Sequence, residues 1–411
     1  MITRFLLLTS LILFFDGAVN GQSDTLETTN VNLRKGLTIS SDIHFSSTFM
    51  SAPKMLGFAQ NPVLSTVFFQ DLLNNASILN SLLYIDEHAI QYQFAIKEGL
   101  FMRMGLFNNN LLHSSLDRDL IGLAAYGNSV YKGQTAFISS SSLTYLSQTG
   151  LSFGVNKLLN FNDFKFLLKS TVNLFQSSSF LNIEVNNSSL FTEENAEYLS
   201  LVYNYSYAIQ TSPQPLAGNG FSGDLLFEMI FPKGNTIIEL GVKDIGATFY
   251  SNQSFDSGHR IGEFTFSGIS LDYAEISTLG GKSIDSETDS LIDLIAPINT
   301  ENKFIFLQPY RFVLNTSMMV GANDRFRLNM FYIPQYAVEP VFSILYTRYI
   351  GNKLNAGINI GNGAFGGLSS GVHLGLNNKK ISLSCTLNGL IQLRNGTYAQ
   401  SGAIINFAYT L

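Results

Sequence analysis

The feature that most limits this chain is an apolar period of two, repeated in stretch after stretch. From Gly402 to Leu411, the residues Ala403, Ile405, Phe407, Tyr409 and Leu411 take every second position. Successive side chains of a strand leave opposite faces, so this run is extended, with one apolar and aromatic face. Phe164, Phe166, Leu168, Val172 and Leu174 likewise share a face, while Lys165, Lys169, Thr171 and Asn173 share the other. Arg325, Arg327 and Asn329 alternate with Phe326, Leu328 and Met330. Leu354, Ala356, Ile358 and Ile360 alternate with Asn355, Gly357 and Asn359. A chain built from two-faced strands must bury one face, and it must dispose of its strand edges.

Composition says where the apolar face goes. Charged residues are 13% of the chain against 45% hydrophobic, and a soluble domain carries about 25% charged residues. Yet no internal run reaches the roughly 18 apolar residues of a membrane-crossing helix. Low charge without long apolar runs suits strands that alternate between lipid and a lumen, closed into a barrel so that no edge meets hydrocarbon. There are 34 Phe, 18 Tyr and no Trp, so an aromatic girdle must be made of Phe and Tyr. The net charge of -6 supplies no basic field for nucleic acid. One cysteine excludes an intrachain disulfide framework and a cysteine-based zinc cage. It sits on the apolar side of the run Ile381, Leu383, Cys385, Leu387, which predicts a buried, inert thiol.

The order of segments predicts three parts. Residues 1–21 read as a secretory signal peptide: Arg4 is the charged start, Phe5 to Phe15 the apolar core, and Val19 and Gly21 the small residues of a cleavage site. Residues 22–85 form a less regular segment that plugs a barrel or packs on its periplasmic rim, with one strand expected at 36–46. Within it, Val63 to Ile85 carries apolar residues roughly at helical spacing. Residues 86–411 form the barrel. Two strands are expected at 89–96 and 100–107 around Gly99. A short helix follows at Leu116–Tyr126, capped by Ser115. Short turns fall at Lys233-Gly234-Asn235, Asn323-Asp324, Gly351-Asn352 and Asn377-Asn378. Longer polar connections fall near 186–197, 211–222, 251–262 and 277–303, the last holding a short helix at Ser286–Ile295. At 20 to 25 residues per strand and connection, the span allows about 14 antiparallel transmembrane strands, within roughly 12 to 16.

Three patterns suggest chemistry and fail on context. Gly218, Gly220, Gly223 and Gly361, Gly363, Gly366 match the spacing of a dinucleotide loop. No helix start follows either, and the pyrophosphate needs one. Gly367-Leu-Ser369-Ser-Gly371 matches a nucleophile elbow, but the only downstream histidine is His373, too close to act as its base. Asp285, Glu287, Asp289 and Asp293 would be spread around a helix axis and read as a solvated loop. The histidines at 44, 88, 113, 259 and 373 form no close metal pair. No catalytic, cofactor or metal site is expected. Lys165, Lys169, Glu239, Arg325 and Arg327 lie on polar strand faces, where they would line a lumen and could set its charge preference.

The ending resembles the assembly signal of outer-membrane proteins, with an aromatic third from the end. Tyr409 holds that place, Phe407 precedes it, and Leu411 replaces the usual final Phe. Further blocks carry a family resemblance. These are Asp117-Arg118-Asp119-Leu120-Ile121-Gly122-Leu123 with Tyr126-Gly127-Asn128 and Tyr131-Lys132-Gly133; Leu240-Gly241-Val242-Lys243-Asp244-Ile245-Gly246 with Phe264 to Ile269; Pro309 to Leu314; and Asn61-Pro62. They resemble a porin-like outer-membrane family of Bacteroidota, of unknown function, related to fatty-acid-transporter-like barrels. The resemblance implies an outer-membrane location and brings no catalytic or binding residue with it. The reading that follows is a monomeric, non-enzymatic channel or transporter for small or hydrophobic solutes. Its partners would be outer-membrane lipid and the barrel-assembly machinery. The other reading is a scaffolding barrel with a blocked lumen that docks periplasmic or surface partners through the 277–303 loop.

Overall fold

The computed structural model describes residues 35–49, 70, 73–74, 76–195, 197–210, 218–231, 235–251, 255–266, 303–336, 338–351, 353–365, 367–378, 380–392 and 399–410. The expected signal peptide at 1–21, the helix at Ser286–Ile295 and Leu411 lie outside these residues.

The strands, in chain order, are β1 (Gly36–Ser47), β2 (Leu79–Lys97), β3 (Leu100–Asp117), β4 (Gln134–Phe137), β5 (Ser140–Asn160), β6 (Lys165–Asn186), β7 (Ser189–Thr192), β8 (Leu199–Gln210), β9 (Gly218–Phe231) and β10 (Thr236–Ser251). They continue as β11 (Phe255–Phe266), β12 (Lys303–Leu307), β13 (Arg311–Val320), β14 (Asp324–Tyr332), β15 (Val341–Ile350), β16 (Leu354–Asn362), β17 (Leu368–Asn377), β18 (Ile381–Gln392) and β19 (Ala399–Thr410). Fourteen of them close an antiparallel ring in the order β1, β2, β3, β5, β6, β9, β10 and β13 to β19, with β19 returning to β1. β1 pairs with β19 from Gly36↔Thr410 to Ser47↔Ala399, and with β2 over the same residues. Closure satisfies the edge groups of both strands.

The start of the wall differs from the sequence expectation. Residues 36–47 and 79–85 are staves of the barrel, so the wall does not begin at 86. Ser40, Asp42, His44 and Ser46 alternate with Ile39, Ile43 and Phe45, but several polar residues fall on both faces, which dilutes the signal. The described residues Phe49, Leu73 and Ala76 pack against Phe45, Leu82, Tyr84, Leu112 and Leu116, and against Ile121 of the helix α1 (Arg118–Tyr126). By strand alternation this is the outer face of the wall, not the lumen.

Between neighbouring strands of the ring, the short connections lie at one rim: β2–β3, β5–β6, β9–β10, β13–β14, β15–β16 and β17–β18, each of two to four residues. Gly36 and Thr410 lie at this rim as well. The long connections lie at the other. There β6 leaves β9 after Ser177 and pairs with β8 from Leu181 to Val185. β8 in turn carries β11 along its length, and β7 carries β4. This arm rises past the ring. It occupies the expected loop at 251–262, where His259, Ile261 and Glu263 form one exposed face of β11. Helix α1 is present, but its N-cap is Asp117 rather than Ser115, because β3 runs on to Asp117. The Asp117 carboxylate does not cap the helix; its Oδ2 accepts the Ser140 N–H at 2.8 Å.

Exposure assigns the two faces. Leu151, Phe153, Val155, Val172 and Leu174 are 43–50% exposed, while Ser152, Thr171 and Asn173 between them are 3–9% exposed. The exposed face is apolar and the enclosed face polar, the reverse of a soluble domain. The apolar band ends on a polar row across adjacent strands, Ser41, His88, Asn108, Thr149 and Gln176. Toward the short-turn rim the band holds stacked aromatics, Phe161 on Phe164 and Tyr92 beside Phe94. Phe407 and Tyr409 are on the outward face of β19, and Asn406, Ala408 and Thr410 are buried on the inward one. Cys385 faces outward and is half-buried, not buried as the alternation suggested. No helix among the described residues is long and apolar enough to cross a membrane.

Candidate functional site

The lumen is the candidate site, and its inward side chains meet in layers. Near the short-turn end, Lys169 of β6 lies between two carboxylates. Its Nζ is 2.6 Å from Glu239 Oε2 of β10 and also contacts Glu228 of β9. Asn315 Nδ2 of β13 donates to the other Glu239 oxygen at 2.8 Å. All three ionic side chains are buried. Two carboxylates share one ammonium there, with an amide donor completing the set. Closer to the viewpoint of β3, Arg103 Nη2 donates to Thr171 Oγ1 at 2.7 Å.

The second layer is built on a backbone irregularity. β10 shifts register between Val242 and Ile245, and Asp244 stands at φ 64°, a left-handed conformation that non-glycine residues rarely adopt. The Asp224 carboxylate holds it there by accepting the Asp244 N–H at 3.0 Å. A bulge of this kind re-aims a side chain. Asp244 Oδ2 accepts Arg311 Nε at 2.8 Å and Arg311 Nη2 at 2.6 Å. Arg311 opens β13 two residues after Pro309, which cannot donate to the ladder and separates β12 from β13. Gln308 is bonded on β10 instead, its N–H to Gly246 O at 2.9 Å and its amide to Thr248 Oγ1 at 2.5 Å.

The same Arg311 Nη2 also pairs with Glu87 of β2. Around the ring β2 is second and β13 eighth, so six steps separate them where opposite strands are seven apart. The pair therefore crosses the lumen. Other contacts cross it too: His44 of β1 meets Phe331 of β14 edge-on at 5.4 Å, and His113 of β3 stacks on Tyr336 at 4.0 Å. Tyr336 belongs to the β14–β15 connection, which folds inward. Its Ile333 and Val338 join Leu83, Ile85, Val341 and Ala364 in a buried apolar cluster. Beside it an aromatic cluster gathers Phe180, Tyr250 and Phe255 with Phe304 and Phe306. Apolar and aromatic groups thus fill the long-loop end, above the ionic layers. Between the two, a cavity of about 40 Å³ is lined by Ile85, Phe107 and Leu146 on one side and by Glu87, Gln308 and Arg311 on the other. That is room for about three waters.

The five residues singled out in the sequence do not form one site. Lys169 and Glu239 come together. Lys165 stands on the same inward face of β6, at the short-turn rim. Arg325 is buried on β14, its Nε donating to Ser317 Oγ at 2.6 Å, and Arg327 follows on the same face. Sequence reasoning passed over Glu87, Glu228, Asp244 and Arg311. Asp244 and Arg311 do lie inside two of the blocks that carry the family resemblance. The glycine spacing at 218–223 also has a local cause. Gly218 faces the Tyr250 ring and Gly220 the Phe175 ring, and a Cβ at either would collide with it. Ser369 is buried in β17, and His373 donates and accepts along a ladder, 2.9 Å from Asn355 Oδ1 and 2.7 Å from Thr386 Oγ1. Among the described residues no group of three or more His, Cys, Asp or Glu could hold a metal ion.

No known family model matches the sequence, and no curated protein matches it. Among solved structures, the toluene transporter TbuX of Ralstonia pickettii is similar at 9% identity over 92% of this chain and 90% of that one, with a TM-score of 0.45. A TodX deltaS2S3 mutant monoaromatic hydrocarbon channel is similar at 9% identity over 92% and 91%, with a TM-score of 0.45. A Pseudomonas aeruginosa FadL homologue is similar at 7% identity over 92% and 90%, with a TM-score of 0.42. At these values the likeness lies in the general course of the chain and assigns no solute.

Proposed function

We propose that this chain is an outer-membrane barrel that passes small solutes, apolar ones among them. The observation that carries the reading is the inversion of faces: a closed ring with exposed Leu151, Phe153, Val155, Val172 and Leu174 outside and buried polar residues inside. A contiguous apolar band of that kind is costly in water and favourable in hydrocarbon. Preference for apolar solutes is supported by the buried aromatic cluster around Phe180 and Tyr250 at the long-loop end, whose apolar packing a ring or an acyl chain would share as the cluster parts. The lumen in this conformation is constricted, so passage requires its cross-lumen contacts to separate.

The test is uptake of a small aromatic hydrocarbon and of a charged solute of similar size into vesicles carrying the purified protein. Uptake of the hydrocarbon above empty vesicles is expected; uptake of neither would refute the reading. Docking of a protein partner is the second reading, and the arm formed by β4, β7, β8 and β11 beyond the ring supports it. Capture of a partner by the intact protein but not by one lacking β11 would favour that reading.

A further inference from the structure

We infer that Glu87 and Arg311 form a bolt across the lumen, and that releasing Glu87 is the step that opens the ionic layer. The inference rests on the passage reading above. Arg311 has two carboxylate partners in different places. Asp244 belongs to β10, the strand next to β13, and grips Arg311 through both Nε and Nη2. Glu87 belongs to β2, six steps around the ring, and pairs with Nη2. The first contact is within one wall and survives any widening of the lumen. The second joins two walls and must break if they part. The bulge that sets Asp244 at φ 64°, with Asp224 holding its N–H, fixes the arginine on its own wall. Glu87 has a second acid beside it, Asp42, its register partner on β1, and Lys243 of β10 acts on both. Release of Glu87 leaves its carboxylate on the cavity wall beside Asp42, while Asp244 keeps Arg311 paired. The bolt has a ready asymmetric way to open: the cross-lumen pair parts and the pair within one wall stays.

The β14–β15 connection fills the lumen above the bolt, so the test removes that layer first. Residues 335–339 are replaced by a short Gly-Ser turn, and conductance is measured in planar bilayers for that protein, for the same protein with Glu87→Gln, and for the same protein with Glu87→Arg and Arg311→Glu together, Asp244→Asn being added to the last so that the new glutamate does not face a second carboxylate. Heat-modifiable gel mobility confirms that each is a folded barrel. The trimmed protein is expected to stay nearly silent, Glu87→Gln to raise its conductance about tenfold or more as the open population becomes dominant, and the double charge reversal to silence it again. Asp244→Asn in the trimmed protein serves as a second probe of the same residue pair, and it should open the layer less than Glu87→Gln does. A trimmed protein that conducts equally with and without Glu87→Gln overturns the bolt and leaves the passage reading standing, as does a charge reversal that fails to restore silence. Silence of every variant, together with no solute uptake, overturns both.

Discussion

Replacing Lys169 with Met tests the inner ionic layer. Lys169 contacts both Glu228 and Glu239, and the two acids are 2% and 4% exposed. The methionine side chain fits the volume but takes away the cation that the two buried carboxylates share. The remaining Asn315 amide bonds one Glu239 oxygen at 2.8 Å and cannot neutralise it. Breaking one partner out of a buried ion pair costs about 3–5 kcal/mol, a factor of about a hundred to several thousand in the folded-to-unfolded ratio. Replacing the whole set tells charge from shape: Lys169→Met with Glu228→Gln and Glu239→Gln removes every ion, and such full replacement is near neutral. The chain has no Trp, so urea unfolding in lipid vesicles is followed by the shift of the unheated band on a denaturing gel. The single substitution should move the midpoint far down and the triple should recover most of it. A triple variant as unstable as the single one would show that Lys169 matters through packing, and a single variant within about 0.5 kcal/mol of the parent would show that the layer is not a closed ion set.

Three further outcomes follow from placement. Val172→Arg, in the exposed apolar band of β6, should cost about 2–4 kcal/mol near the band's middle, whereas Thr265→Arg on the exposed face of β11 should stay within about 0.5 kcal/mol, both by the same gel assay. Tyr409→Arg should sharply lower the amount of protein inserted in cells, while Thr410→Arg, on the inward face of β19, should insert better; equal membrane levels would contradict the sidedness of that strand. Tyr131 packs beside α1, its hydroxyl donating to Asp119 O at 3.2 Å, and burial first and the Asp119 charge second push its hydroxyl up from 10.0 to about 12. A raised folded value means the contribution is complete below pH 10 and lost as pH rises toward 12; protease cutting near 118–133 should rise across that window, and in Tyr131→Phe the rise should be absent.

The sequence by itself determined that this chain is a barrel. Alternation at Phe164 to Leu174 and at Arg325 to Met330 gives each strand two unlike faces, and a period of two is a local property that needs no neighbour. Turn residues at Gly351 and Asn323 mark one rim for the same reason. Even the inward place of Lys169 and Glu239 follows from parity alone. Tertiary structure decided the rest. Whether Lys169 meets Glu239, 70 residues away, depends on which strands the ring sets side by side. That Arg311 reaches Glu87 depends on the ring's closure and on the bulge at Asp244, which shifts parity by one residue at a point the pattern does not announce. β1 was hard to read as wall because polar residues fall on both of its faces, and only its pairing with β19 makes it a stave. The inward fold of Tyr336 onto His113 belongs to a connection, where no period exists to be read. Local periodicity fixes the faces of a strand; the contacts between distant faces are fixed only when the sheet closes and brings its opposite walls within reach.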